Sequence, residues 1–329
     1  MTPLAGPAPG ALVRSIAGAV ALAFAQVPAS AQVTRSEMVV ECVGSVPDLT
    51  PLCVEGVLAL EAARGGIGIA ASQGSAVPGS SSTLGRRLGL SPRVAFSTRA
   101  SLSRVGMPDP RAGEVRAGGR SFLVPAAEAA LTMGVLDGVS VLPTVGGIFS
   151  LDLIGAVGIA RLSEEDGFAG PAEWLGYGVR LGLLRESFTV PGLSVAAMRR
   201  HVTETQWGRE SESAHAVFQA EGTSVRVTAG KDFLAFGILG GWGWERYDGT
   251  STVGVAPRGI ARAGQAVSSQ FASDRSLLFG GLSLTFLVLQ IAAEGGLATG
   301  WDAVPDRDLG GYDPTAGTIF GSLSARLTF

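Results

Sequence analysis

The segment Val288–Asp302 (VLQIAAEGGLATGWD) decides how this chain folds. It closes the longest apolar stretch outside the N-terminal region, Leu277–Ala293, which also holds Gly280, Gly281, Ser283 and Gln290. As a helix that stretch is a marginal single span. As strands it divides at a sharp turn near Phe286–Val288, and periodicity decides, because a strand alternates its faces with period 2. Leu289, Ile291, Ala293, Gly295, Leu297, Thr299 and Trp301 form one face. Gln290, Ala292, Glu294, Gly296, Ala298, Gly300 and Asp302 form the other. One face is apolar and ends in Trp; the other is small or polar.

The same alternation recurs. Leu175, Tyr177, Val179, Leu181 and Leu183 oppose Gly176, Gly178, Arg180 and Gly182. Phe149, Leu151, Leu153, Val157 and Ile159 oppose Ser150 and Asp152. Leu234, Phe236, Ile238, Trp242 and Trp244 oppose Ala235, Gly237, Gly241, Gly243 and Glu245. At the C-terminus, Ile319, Leu323, Ala325, Leu327 and Phe329 alternate with Thr318, Phe320, Ser322, Ser324, Arg326 and Thr328. Alternating segments of about 10 residues are the signature of a transmembrane β-barrel. Only closure satisfies every strand's backbone in lipid. A soluble secreted β-sandwich would also alternate, but its outer face would be a solvated polar surface. Here the non-apolar faces are rich in Gly and Ala with scattered charges, and the linkers alternate between short turns and long loops.

The chain is therefore expected to be all-β, an antiparallel up-and-down barrel. Ten strands are expected near 91–106, 121–136, 147–162, 173–187, 191–207, 214–230, 232–247, 275–286, 288–302 and 316–329. Twelve result if Gly65–Ser72 and Glu37–Gly44 also join. Glu221 conflicts with this scheme, since it falls on the lipid parity of its strand; a bulge at Gly222 or a place above the hydrocarbon repairs it.

The final strand carries a resemblance. An amphipathic last strand ending in Phe329, with Leu323, Ala325 and Leu327 before it, resembles bacterial outer-membrane β-barrel proteins. In that class the terminal aromatic belongs to the signal read by the barrel-assembly machinery. The resemblance covers roughly Ser91–Phe329 and implies the cell outer membrane, with lipid and that machinery as partners.

Composition agrees. The 329 residues are 46% hydrophobic and 16% charged, with 48 Gly and a net charge of −3. That is less charge and about twice the Gly of soluble domains, which average about 25% and 7%. The acidic balance argues against a nucleic-acid module, and the hydrophobicity against disorder. At the N-terminus, Arg14, the apolar run Ser15–Ala25 and Ala29-Ser30-Ala31 read as a signal peptide, residues 1–31, cleaved after Ala31. Cys42 and Cys53 follow closely and are expected to form a disulfide in an oxidising compartment. Two ligands without a nearby His are too few for structural zinc, so no metal is expected.

Residues 32–90 are less barrel-like and form a segment expected either to hang in the periplasm or to plug the lumen of the 91–329 barrel. Asp48–Arg64 reads as a short helix with Thr50 as N-cap, Pro51 in its first turn and Gly65-Gly66 ending it. Gly74–Ser82 reads as a loop. This arrangement loosely resembles the long-chain fatty acid and aromatic-hydrocarbon transporter barrels, which carry an N-terminal hatch.

By parity the lumen receives Arg99, Glu128, Asp152, Arg180, Arg226, Glu245, Glu294 and Arg326. These charges either pair as structure or line a polar path. His201 and His215 flank the Gly208–Ser213 loop near Glu204 and Glu212, which reads as an acid–base pair or as polar rim residues. The Ser-His-Asn set of the outer-membrane phospholipase pattern cannot be present, because the chain has no Asn. Gly66–Ala71 matches G-x-G-x-x-A without the strand–turn–helix setting of a dinucleotide site. No enzyme activity and no cofactor are expected. The reading is passive passage or binding of a small solute, apolar ones included, through a partly plugged lumen. A structural or surface-contact barrel is the alternative, and a membrane-embedded hydrolase a more distant one.

Overall fold

The computed structural model describes residues 33–87, 91–112, 119–139, 148–188, 190–256, 265–303, 309 and 311–329. The expected signal peptide lies outside them. Ten antiparallel strands close into one barrel: β1 (Val94–Met107), β2 (Arg120–Leu136), β3 (Ser150–Ala160), β4 (Ala172–Leu184), β5 (Gly192–Val202), β6 (Glu221–Phe233), β7 (Phe236–Asp248), β8 (Ser273–Phe286), β9 (Leu289–Ala298) and β10 (Thr318–Thr328). Each strand pairs with its chain neighbours, and β10 returns to β1 through Phe320↔Ser103 to Thr328↔Ala95. Each of the ten overlaps one of the expected strands. The parity also holds: Phe96, Leu131, Leu175, Trp242, Leu282 and Leu323 face outward and are exposed, while Arg99, Asp152, Arg226 and Glu245 face inward and are buried.

The two ends differ. At one end, Leu234-Ala235 and Leu287-Val288 make two-residue turns, and the chain ends there at Phe329. The other end carries long connections. Two of these supply a separate four-stranded sheet, ordered Gln265–Gln270, Thr250–Val255, Ala214–Phe218 and Thr205–Trp207. The strands expected at 191–207 and 214–230 are therefore each too long. The chain leaves the wall after Val202 and rejoins it at Glu221, because both flanking pieces pair with the outer sheet instead. Glu221 begins β6 at the rim, paired with Asp248, and the register runs unbroken to Phe233↔Phe236. There is no bulge at Gly222. Rim placement alone resolves the conflict, and Arg199 and His201 beside it supply the charge pairing.

The segment before the barrel is helical. α1 (Arg35–Val43) opens with a capping box between Thr34 and Glu37. The Thr34 amide and then its hydroxyl hold the Glu37 carboxyl below the usual range. A single 3-10 turn, Pro47–Leu49, leads into α2 (Thr50–Ser72). Leu49, not Thr50, is its N-cap; the Thr50 hydroxyl instead donates to the Pro47 carbonyl at 2.6 Å. Cys42 and Cys53 are disulfide-bonded and join the two helices.

α2 is buried on every side from Leu52 to Ser72, as a helix apolar all round must be. Its 23 residues rise about 35 Å, enough to cross the barrel. The helix starts against the outer sheet, with Gly56 beside Val253 and Val255, and descends past Trp301, Val105 and Tyr247, which Gly65, Gly66 and Gly68 touch in turn. The expected stop at Gly65-Gly66 is therefore wrong. Those glycines are contact points where a side chain would collide with the wall, and the lumen holds the helix together across them. The twelve-strand alternative fails for the same reason, since Glu37–Val43 and Gly65–Ser72 are helix. A single apolar core packs α1, the upper half of α2 and the outer sheet together, centred on Met38, Leu60, Trp207, Phe218 and Phe271.

Candidate functional site

The lumen gathers buried charge, and the N-terminal segment fills it. After α2, Gln73–Leu84 continues toward the turn end, and the expected lumen residues meet it. Arg226 pairs with Glu245 and donates to the carbonyls of Ser72 and, at 2.7 Å, Gly74. Glu245 also accepts from the Ser72 hydroxyl at 2.5 Å and from Tyr247. Arg99 pairs with Glu128 at 2.5 Å and donates to the Gln73 carbonyl. The second Glu128 oxygen accepts the Trp174 indole N–H at 3.1 Å. Glu294 accepts the Ser75 amide and hydroxyl, both at 2.7 Å, and the Gly79 amide at 3.0 Å. Arg180 pairs with Asp152 at 2.7 Å and reaches the Ser80 carbonyl at 3.3 Å, while Asp152 accepts the Leu84 amide at 3.0 Å.

Seven of the eight expected residues thus take part in these links: six form three ion pairs that bind the segment, and Glu294 binds it directly. Arg326 is the exception. It faces inward, and its Nε and Nη1 have no hydrogen-bond partner among the described residues. The segment is short of side chains here (Gly74, Ser75, Ala76, Gly79, Ser80), so its own amides and carbonyls face the wall and need charged partners to replace water.

The parity reading overlooked Arg200, Arg275 and Tyr247. All three lie on inward positions that alternation marks. Arg200 stands 3.6 Å from Glu128, and Arg275 stacks on Trp301 at 4.4 Å and donates to the Thr299 carbonyl at 2.8 Å. Arg64 had no such signal, being a charge within an apolar helix. It donates to the Phe271 carbonyl and the Ser273 hydroxyl, linking α2 to the start of β8. Between α2 and β5–β7 the remaining void is about 10 Å³, lined by Gly68, Ser72, Glu245 and Tyr247 among others. That is room for about one water.

The two histidines do not form a site. His201 faces outward on β5, stacked on Tyr177 and 3.5 Å from Glu221. His215 lies in the outer sheet opposite Gly254. Among the described residues there is no cluster of ligands for a metal.

No protein-family profile matches the sequence, and no curated protein sequence matches it. Solved structures do resemble the fold. The translocator domain of the autotransporter NalP from Neisseria meningitidis aligns at 10% identity over 72% of this chain and 88% of that one, with a TM-score of 0.41. The outer membrane protease OmpT from Escherichia coli aligns at 9% identity over 72% and 96%, TM-score 0.37. The Pseudomonas putida toluene transporter TodX aligns at 8% identity over 77% and 95%, TM-score 0.31.

A closed antiparallel barrel with an even number of strands, an apolar outer belt, a charged interior and tight turns at one end has the architecture of the bacterial outer-membrane β-barrels. In that class the short turns face the periplasm and the long loops the exterior.

Proposed function

We propose that this protein is a sealed outer-membrane barrel that presents a folded cap at the cell surface, anchored from within by its own N-terminal segment. The observation that carries this reading is the burial of α2 from Leu52 to Ser72, first against the outer sheet and then within the lumen. Of the two roles open to the inward charges, pairing as structure or lining a path, the contacts favour the first: seven of them are engaged in holding Ser72–Leu84. The cap consists of α1, the disulfide and the outer sheet, packed as one apolar core. On this reading the chain enters the periplasm after its signal peptide, and the residues near Val33 end at the exterior face. Its partners are the lipid around the belt and, during insertion, the assembly machinery reading Leu323, Ala325, Leu327 and Phe329.

Solute passage is the second reading. A recess of about 820 Å³ at the turn end, floored by Ser82, Thr83 and Leu84, favours it, and the Ser72–Leu84 segment would have to leave its clamps. Planar-bilayer recording separates the two. The sealed barrel gives no steady conductance; a stable open channel in the unaltered protein overturns it. Ser36→Cys on α1 tests the topology. A membrane-impermeant maleimide labels it on intact cells, and labelling only after lysis refutes surface presentation.

A further inference from the structure

The two tightest turns carry an anomaly that the lumen does not explain. Leu234 (φ 57°) and Leu287 (φ 55°) sit in the left-handed region, at the first central position of two-residue hairpin turns. That position ordinarily belongs to Gly, because a Cβ there crowds the following carbonyl. Both leucines are also completely exposed on the protein surface. Their neighbours repeat the pattern: Phe233 and Phe236 flank one turn, Phe286 precedes the other and Val288 is its second residue, all exposed. The Lys231 side chain of the first hairpin turns aside. Lys231 donates to the Ser187 carbonyl, and the Asp232 amide donates to Glu186 at 2.6 Å, both toward the β4–β5 connection. That connection carries Arg185, Glu186 and Ser187, followed by an exposed Phe188.

We infer that the β6–β7 and β8–β9 hairpin tips are inserted in the inner leaflet, with these two turns below the water boundary. The occupant of this surface is lipid, because on β7, β8 and β9 the tips continue the outward belt without a polar break, and on β6 the charged outward residue near the tip, Lys231, is drawn aside to Ser187 and Glu186. On β7 the belt runs Trp244, Trp242, Gly240, Ile238 and Phe236 to Leu234. Above Trp244 the next outward residue is Arg246, 3.7 Å from Asp274, which sets the upper boundary. From Trp244 to Leu234 is about 34 Å of strand, or about 26 Å along the membrane normal at the usual tilt, matching the apolar band of about 25 Å. A boundary at Phe236 leaves only about 21 Å. The inference rests on the membrane-barrel fold and not on whether the lumen conducts.

The described residues contain no free cysteine, so Leu234→Cys and Leu287→Cys each provide a single reactive thiol. Each is labelled with an environment-sensitive fluorophore in the full chain, reconstituted into phosphatidylcholine vesicles, and checked for heat-modifiable folding. Leu282→Cys in mid-belt and Arg209→Cys on an outer loop are the references. Both tip positions should follow Leu282→Cys: blue-shifted emission, quenched several-fold more by lipid-borne nitroxide than by iodide. If both tips follow Arg209→Cys while Leu282→Cys remains lipid-quenched, the insertion is refuted, and the tips face water or a periplasmic protein. If Leu282→Cys itself is quenched by iodide, the membrane-barrel reading fails first. The two labels report independently, so one misfolding variant leaves the other decisive.

Discussion

Arg180 and Asp152 form a buried ion pair at 2.7 Å, and the same carboxylate holds the amide of Leu84, the last residue of the segment that fills the lumen. One pair on adjacent strands β3 and β4 therefore braces the wall and pins the plug. The Arg226–Glu245 pair does the same near Ser72. The lumen charges bind the protein's own backbone.

Removing one partner of such a pair should cost far more than removing both. Asp152→Ala leaves Arg180 buried and uncompensated, with an expected loss of about 3–5 kcal/mol. Asp152→Leu with Arg180→Met should recover most of that loss. Urea unfolding in vesicles, followed by Trp fluorescence, measures both, and equal losses would contradict the clamp.

Gly68 packs its α-carbon against the Tyr247 ring, and a methyl group there collides with it. Gly68→Val should displace α2 and admit ion flux in planar bilayers. Gly155→Ala faces open space on the lipid side and should change neither stability nor conductance. A silent Gly68→Val would show that the helix does not seal the lumen.

Reducing the Cys42–Cys53 disulfide should loosen the cap and leave the wall intact. The bridge spans 11 positions, and a loop of that size stabilises by about 3 kcal/mol. Limited proteolysis of Cys53→Ser should cut around α1 well before the barrel unfolds. Unchanged protection there would remove the disulfide from the account of the cap.

The outer rim should loosen in acid. Burial raises the Asp109 carboxyl, but hydrogen bonds from Arg111 and Arg120, with the Arg111 charge, outweigh it and leave the group below its ordinary value. A lowered pKa contributes stability that is complete above the unfolded value of about 3.9 and is lost as pH falls through the folded one. Protease protection of the Asp109–Arg111 loop should therefore fall below about pH 4. Asp109→Asn should flatten that dependence.

Phe329 is exposed on the barrel's outer surface, so it adds little to packing. Deleting it should reduce the amount of folded barrel in cells several-fold while leaving the urea midpoint of the refolded protein nearly unchanged. A large stability loss would make it a structural residue and not an assembly signal.

The barrel wall was legible in the sequence because its physics is local. In a sheet between lipid and a filled lumen, parity alone decides which way Leu297, Arg180 or Glu245 points, and period 2 is written along each strand. Two strands were overextended because Ala214–Phe218 alternates as well as any wall strand does; only its pairing with Thr250–Val255 assigns it to the outer sheet. The plug was beyond local reading. Gly65-Gly66 reads as a helix stop when solvent is the reference. Inside the barrel those glycines fit against Trp301 and Val105, and there is no water to favour unwinding. Periodicity established that Arg99, Asp152, Arg226 and Glu294 face inward. That they clamp Gln73–Leu84 as structure, and do not line a path, depended on which part of the chain shares the lumen, contacts that for Arg226 and Glu294 cross more than a hundred residues of sequence and that only closure of the barrel brings about.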